Sequence, residues 1–251
     1  MFTEEEAEKL REKRKRVAVE NLREIKDVFD ENGIKFWLDS GTLLGAVRDG
    51  KIIEWDGDVD LGTWHRDASK IISTFAEFKR RGFDAILNRK QAAMSIIRSD
   101  CSINFGLYRE RDNYAWNQWT RMRKTAVEKI LNRGVNILSV RAYAKQEGTF
   151  NRKIKHLSSL LPLTLKKLVA NTAWLLLHNL GYTIPVVIPK HYFEKLSTIQ
   201  FYGIEFNIPS DAERYLEYRY GSNWKIPIRN WVPYEDDAAI APNWDVLHFK
   251  I

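Results

Sequence analysis

The spacing of apolar and polar positions changes period several times along the chain, and each change marks an element. Over residues 4–31 Leu22, Ile25, Val28 and Phe29 recur at helical spacing and Asn32-Gly33 supplies a left-handed stop, which predicts a helix. IKFWLD (34–39) then alternates with period two. Ile34, Phe36 and Leu38 fall on one face of the predicted strand and Lys35, Trp37 and Asp39 on the other. TLLGAVRDG (42–50) returns to helical spacing, with Leu43, Leu44 and Val47 inward and Gly50 as its end, and VDLGT (59–63) is extended again. Residues 67–81 predict a second helix on Ile71, Ile72, Phe75 and Phe78, closed by Arg80, Arg81 and Gly82. FDAILN, AAMSIIRS and CSINFGLYRE read as three further strands, giving a mixed α/β core over residues 1–120.

The rest of the chain is patterned differently. NYAWNQWTRMR (113–123) is aromatic and basic, and reads either as a substrate-facing loop or as packing residues. Residues 153–181 are helical in pattern, with a break at Pro162. The later part has a wide apolar arc and a narrow polar stripe through Lys167, Asn171, Trp174 and His178. Such an arc predicts burial in the core. The alternative is a helix lying on an anionic membrane surface, suggested by Trp174 and the flanking Arg152, Lys153, Lys155, Lys166 and Lys167. The tail predicts a strand or hairpin, a short helix capped by Ser210 or Asp211, and an aromatic coil. One domain of three parts follows: the core to 120, a basic helical insertion over 121–185, and a C-terminal block from 186 to 251 packing back on the core.

Composition narrows the chemistry. The 251 residues contain Cys101 as their only cysteine, so a disulfide framework and thiolate zinc sites are excluded. The five histidines are not in ligand-spaced pairs, and any metal is expected to be a hard, oxygen-bound one. The formal charge of +7 is concentrated in residues 121–167, where 12 Lys and Arg face two acids, and the remainder is net acidic. An anionic partner or a merely solvated basic surface both account for that block. The N-terminus is too charged for a signal peptide and no 18 apolar residues run together, which favours a cytosolic protein, at most peripheral to a membrane. No nucleic-acid-binding module is recognisable, and no nucleic-acid partner is expected.

The chemistry is densest in DSGTLLGAVRDGKIIEWDGDVDL (39–61). Gly41 lies between a strand and a helix, where a missing side chain and unpaired N–H groups at the helix start, placed at Thr42, favour a phosphate. On a strand Asp58 and Asp60 share a face, about 7 Å apart at the backbone, with Val59 and Leu61 facing the core. Two converging carboxylates repel unless a cation joins them, and Mg²⁺ takes one or two carboxylates plus substrate phosphates. An EF-hand loop starting at Asp56 would need Gly and Glu where Leu61 and Asp67 stand, so calcium loops are excluded. The Asp-x-Asp pair of a nucleotide-sugar glycosyltransferase stays open on these residues alone.

FWLDSGTLLGAVRDGKIIEWDGDVDLG and the tail FYGIEFNIPSDAERYLEYRYGSNWKIP together resemble the LicD/fukutin-related family of the nucleotidyltransferase superfamily. The resemblance implies a nucleotidyltransferase-like mixed β-sheet core flanked by helices. It implies transfer of a phospho-alcohol, phosphocholine or a polyol phosphate, from a CDP-activated donor to a glycan or lipid-linked glycan hydroxyl. Asp58 and Asp60 would hold Mg²⁺ (or Mn²⁺) across the donor diphosphate, with Asp56 supporting. Gly41 and Thr42 would bind phosphate, and Arg48 would face phosphate or order the site. Glu54 and Ser40 depart from the family pattern harmlessly, in turn and loop positions. The third departure is chemical: the strand expected to bring another acid, as ligand or general base, offers Asn104, whose amide cannot accept a proton. Asp100 or Asp112 would substitute in another register. Transfer of the nucleotide itself, or a weakly active membrane-associated scaffold, are the competing functions.

Overall fold

The computed structural model describes residues 3–88, 93–120, 125–142 and 162–244. Its helices are α1 (Glu4–Glu31), α2 (Ser40–Arg48), α3 (Ala68–Ser73), α4 (Phe75–Arg80), α5 (Ala126–Ser139), α6 (Leu163–Asn179), α7 (His191–Glu194), α8 (Ala212–Tyr220) and α9 (Pro233–Asp236). Its strands are β1 (Phe36–Leu38), β2 (Val59–Trp64), β3 (Asp84–Asn88), β4 (Ala93–Arg98), β5 (Cys101–Arg111), β6 (Tyr114–Thr120), β7 (Val140–Ala142), β8 (Thr183–Pro189), β9 (Leu196–Phe201) and β10 (Ile204–Pro209).

A mixed sheet runs in the order β1-β2-β5-β4-β3-β7. The pairing of β2 with β5 is parallel, with Asp60 opposite Asn104, and the other pairs are antiparallel. The far end of β5 leaves this order, Arg109–Arg111 pairing with β6, which pairs in turn with β8. Helix α1 starts with a complete capping box at Thr3 and Glu6, buries Leu22, Ile25, Val28 and Phe29, and stops at Gly33, φ +61. Phe29 meets Phe36, Phe78 and Phe105 with ring centroids 5.2–5.9 Å apart, joining helix and sheet in one apolar cluster.

Several expected elements are revised. β1 does not alternate between core and solvent, because the C-terminal block covers its outer face. Trp37 is fully buried there, stacked on Phe193 at 4.7 Å. Its register partner is Gly62, where an added Cβ would lie 2.2–2.8 Å from the indole ring, so only glycine fits beneath it. The helix expected over 67–81 is two helices, interrupted at Thr74, whose hydroxyl donates to the Ile71 carbonyl at 2.7 Å and competes with the helix ladder. The aromatic stretch from Tyr114 is a strand rather than a loop, with Trp116 buried. β8 had no counterpart in the reading.

The wide apolar arc of α6 is not core. Helix α6 packs along α5, and among its described side chains Ala170, Trp174 and Leu177 are buried, with Leu165, Leu168, Val169, Leu175 and Leu176 exposed. Trp174 and His178, assigned to a polar stripe, turn toward the protein instead, and His178 Nδ1 lies 2.6 Å from the Thr183 hydroxyl. Residues 121–124 and 143–161 of the expected basic and helical segments, with Arg152, Lys153 and Lys155 among them, lie outside the described residues. Among the described residues no helix is long and apolar enough to cross a membrane. The tail hairpin is β9–β10, and α8 is capped by Asp211 rather than Ser210, Asp211 accepting from the Arg214 N–H.

Candidate active site

A cavity of about 750 Å³ opens between the end of β1, the start of α2, the loop before β2 and the C-terminal block. Gly41, Arg48, Asp56, Asp58, Asp60 and Asn104 all line it. Helix α2 begins at Ser40, two residues before the expected start, because the Asp39 side chain caps it, accepting from the Ser40 N–H at 2.8 Å. Ser40 has φ +48, a left-handed conformation that normally favours glycine. At Gly41 an added Cβ would stand 2.5 Å from Asp56 Oδ2, so the missing side chain lets a carboxylate reach the start of the helix.

Thr42 does not face the cavity. It is buried, and its hydroxyl accepts the Asp60 N–H at 2.8 Å. The Asp60 carbonyl accepts the Asp39 N–H at 3.1 Å, so the strand residue is pinned at both ends of the α2 start. Thr42 thus positions Asp60, and phosphate contact by its hydroxyl is set aside in favour of Gly41. Arg48 lines the cavity with its guanidinium gripping both Asp49 oxygens, Nε at 2.9 Å and Nη2 at 2.7 Å, which fixes its direction.

Asp58 precedes β2 and Asp60 lies within it. Burial is the largest cause pushing the Asp60 carboxyl well above the usual range, followed by the charges of Asp58, Asp56 and Asp39. Asp56 is pushed up to about 6, again by burial first and by Asp58 second. Asp56, Asp58 and Asp60 together offer oxygen donors of the kind a hard divalent cation takes. Among the described residues no group of three or more His, Cys, Asp or Glu forms a ready-made cage. The residues present therefore fit an ion that takes one or two carboxylates and completes its shell from substrate and water.

Asn104 faces the pair. Its Nδ2 donates to Asp58 Oδ2 at 2.7 Å, while its Oδ1 accepts from the hydroxyls of Ser95 and Ser102, both at 2.9 Å. Asp100 and Asp112, the alternative acids, occupy left-handed positions, φ +60 and φ +52, in the turns flanking β5 and are not among the cavity residues.

Beneath α2 lies a buried ionic cluster that sequence reasoning missed. Arg219 on α8 is fully buried and donates from Nη1 to Asp39 and Ser40, each at 3.1 Å, and to the Tyr215 hydroxyl at 3.0 Å. Its Nε and Nη2 both reach Asp237 Oδ2. Asp39 also accepts from the hydroxyls of Tyr108, at 2.7 Å, and Tyr215. The only sequence signal was the position of Arg219 inside the tail block. Opposite the carboxylates, the cavity wall is aromatic, formed by Trp119, Tyr220, Trp224 and Trp231, with Trp55 at the mouth under the Arg229 guanidinium at 5.2 Å. Tyr220 and Trp231 are 4.8 Å apart.

Residues 33–153 match the family model described as LicD/FKTN/FKRP, nucleotidyltransferase domain. The chain is 48% identical over 48 residues to human ribitol 5-phosphate transferase FKRP, covering 19% of this chain and 10% of that protein. It is 23% identical over 215 residues to mouse ribitol-5-phosphate transferase FKTN, covering 84% of this chain and 34% of that protein. An uncharacterised protein of Rickettsia prowazekii is 30% identical over 95 residues, covering 38% of this chain and 35% of its own length. The chain thus spans about a third or less of the length of these relatives. The matched stretch carries the cavity's carboxylates and the start of α2, and over it the chain is similar to the LicD/FKTN/FKRP nucleotidyltransferase domain.

Proposed function

We propose that the protein is a divalent-cation-dependent phosphotransferase that moves a phospho-alcohol from a CDP-activated donor to a glycan hydroxyl. The observation carrying this reading is the convergence of Asp56, Asp58 and Asp60 on one cavity at the glycine start of α2. The transferase names of the FKRP and FKTN relatives support it. Asp58 and Asp60 hold the cation, Mg²⁺ or Mn²⁺, with Asp56 beside them. When bound, that ion neutralises diphosphate charge and the charge that develops on the leaving group.

The protein's own part is alignment. The acceptor oxygen forms a bond to the phosphorus bearing the alcohol, the bond from that phosphorus to the CMP oxygen breaks with its electron pair leaving on CMP, and the hydroxyl proton is released to water. Gly41 leaves the start of α2 without a side chain, and the Asp56 carboxylate lies there, where N–H groups favour negative charge. Arg48, held by Asp49, adds a fixed cation on the same wall, and the aromatic wall offers flat apolar faces to base or sugar rings. Asn104 is not the base.

The exposed Ile130 on α5 and Leu168, Val169 and Leu176 on α6, beside the most basic part of the chain, support seating at an anionic membrane surface where lipid-linked acceptors reside. Incubating the protein with CDP-ribitol, CDP-glycerol or CDP-choline, a glycan acceptor and Mg²⁺ tests the function by mass spectrometry of the product. A phospho-alcohol adduct that disappears in Asp58→Asn and Asp60→Asn is expected. A nucleotide adduct, or full activity in those variants, overturns the reading.

A further inference from the structure

Residue 104 is an amide at the one position of β5 that lies opposite Asp60 and touches Asp58. The NH₂ end of the amide faces Asp58, donating to Oδ2 at 2.7 Å. That orientation leaves Oδ1 for the hydroxyls of Ser95 and Ser102. Ser95 is the antiparallel register partner of Asn104 on β4, and Ser102 sits two residues earlier on the same face of β5. Both hydroxyls donate to one oxygen, and the opposite rotamer would set Oδ1 against Asp58 Oδ2. The amide is therefore held one way round by three partners. An acid here would add a further negative charge to a cavity that already gathers Asp56, Asp58 and Asp60.

We propose that Asn104 is a positioning residue for Asp58: by donating to Oδ2 it fixes the direction in which the Asp58 carboxylate would meet a divalent cation, and Ser95 and Ser102 set the polarity that lets it do so. This inference rests on the reading of Asp58 as a cation ligand. Outer-shell partners of metal ligands typically account for about 10- to 100-fold in metal affinity or activity. Asn104 takes no part in proton transfer, and its effect appears in cation binding itself.

Mn²⁺ binding, followed by the paramagnetic resonance signal of the free ion, tests this on the intact chain without substrate. Asn104→Ala is expected to weaken Mn²⁺ by about tenfold or more. The Ser95→Ala/Ser102→Ala double variant is expected to weaken it in the same direction by a smaller factor, with Asn104 still present but free to turn. Unchanged or tighter binding in a folded Asn104→Ala protein overturns the inference. If Asn104→Ala does not fold, the serine double variant decides, and wild-type affinity in it has the same consequence. Asp58→Asn separates the two levels. Loss of Mn²⁺ there with retention in Asn104→Ala leaves the cation site standing and removes Asn104 from it. Wild-type affinity in Asp58→Asn removes both.

Discussion

Replacing Arg219 by methionine removes the one cation that neutralises two buried carboxylates while keeping most of the side-chain volume. Asp39 and Asp237 are 3% and 4% exposed, so neither finds water when the guanidinium goes. Breaking a buried pair from one side costs about 3–5 kcal/mol, since the remaining charge is left uncompensated. Here two are left, but each keeps part of its shell. Asp39 retains the Tyr108 and Tyr215 hydroxyls and the Ser40 N–H, and Asp237 retains the Ala239 N–H at 2.8 Å. That compensation argues for about 4–5 kcal/mol in total rather than twice the single value. For a chain of this size each kcal/mol moves the melting temperature by about 2–4 °C, so a fall of about 8–20 °C is expected. Calorimetric melting of wild type and variant at pH 7.5 measures it. Adding Asp39→Asn and Asp237→Asn to the variant recovers much of the loss if the cause is charge. A fall under about 3 °C, or no recovery in the triple variant, would refute the electrostatic account.

Gly41→Ala displaces the Asp56 carboxylate from the helix start, and transfer activity is expected to drop at least tenfold, with little change in melting temperature because Ala favours the helix by up to about 1 kcal/mol. Product formation at saturating donor checks it. Gly62→Ala pushes a methyl into the Trp37 ring, itself clamped by Phe193, so a loss of about 3 kcal/mol or more in urea unfolding is expected. For pH, Asp56 and Asp60 are raised above their unfolded values, so the stability they contribute is present below about pH 4 and is lost as pH rises, for Asp56 through about 6. In chelator the melting temperature should therefore fall over that window, a slope absent from Asp56→Asn/Asp60→Asn and reversed by added Mg²⁺. A wild-type slope no different from the double variant's would count against it.

Much of the core was legible because local rules governed it. Thr3 and Asn32-Gly33 bound α1, and period-two runs placed β3, β4 and β5 within a residue or two. Asn104 came from the family resemblance, and its place opposite Asp60 is set by the parallel pairing of β2 with β5, which alternation alone does not give. Two helix details failed for local reasons that pattern does not carry: Asp39 capped α2 ahead of Thr42, and the Thr74 hydroxyl broke the 67–81 helix. β8, TIPVVIP, has prolines at two of its seven positions, a poor strand by propensity that pairing with β6 overrides. The arc of α6 was misread because hydrophobicity alone does not say which side meets a neighbour. Trp174, counted as polar, makes the contact, while leucines face outward. The Arg219 cluster was invisible to any windowed reading, since its members come from four separate stretches of chain.

Asp39 and Arg219 are separated by 180 positions. On a ribosome adding about 5–20 residues each second, the aspartate waits roughly 10–40 s for its partner. During that interval the segment bearing Asp56, Asp58 and Asp60 is already made, but the wall that closes its cavity is not. The cavity is therefore complete only once the segment bearing Arg219 has been made, since Arg219 and the residues from Tyr220 to Tyr234 supply part of its lining.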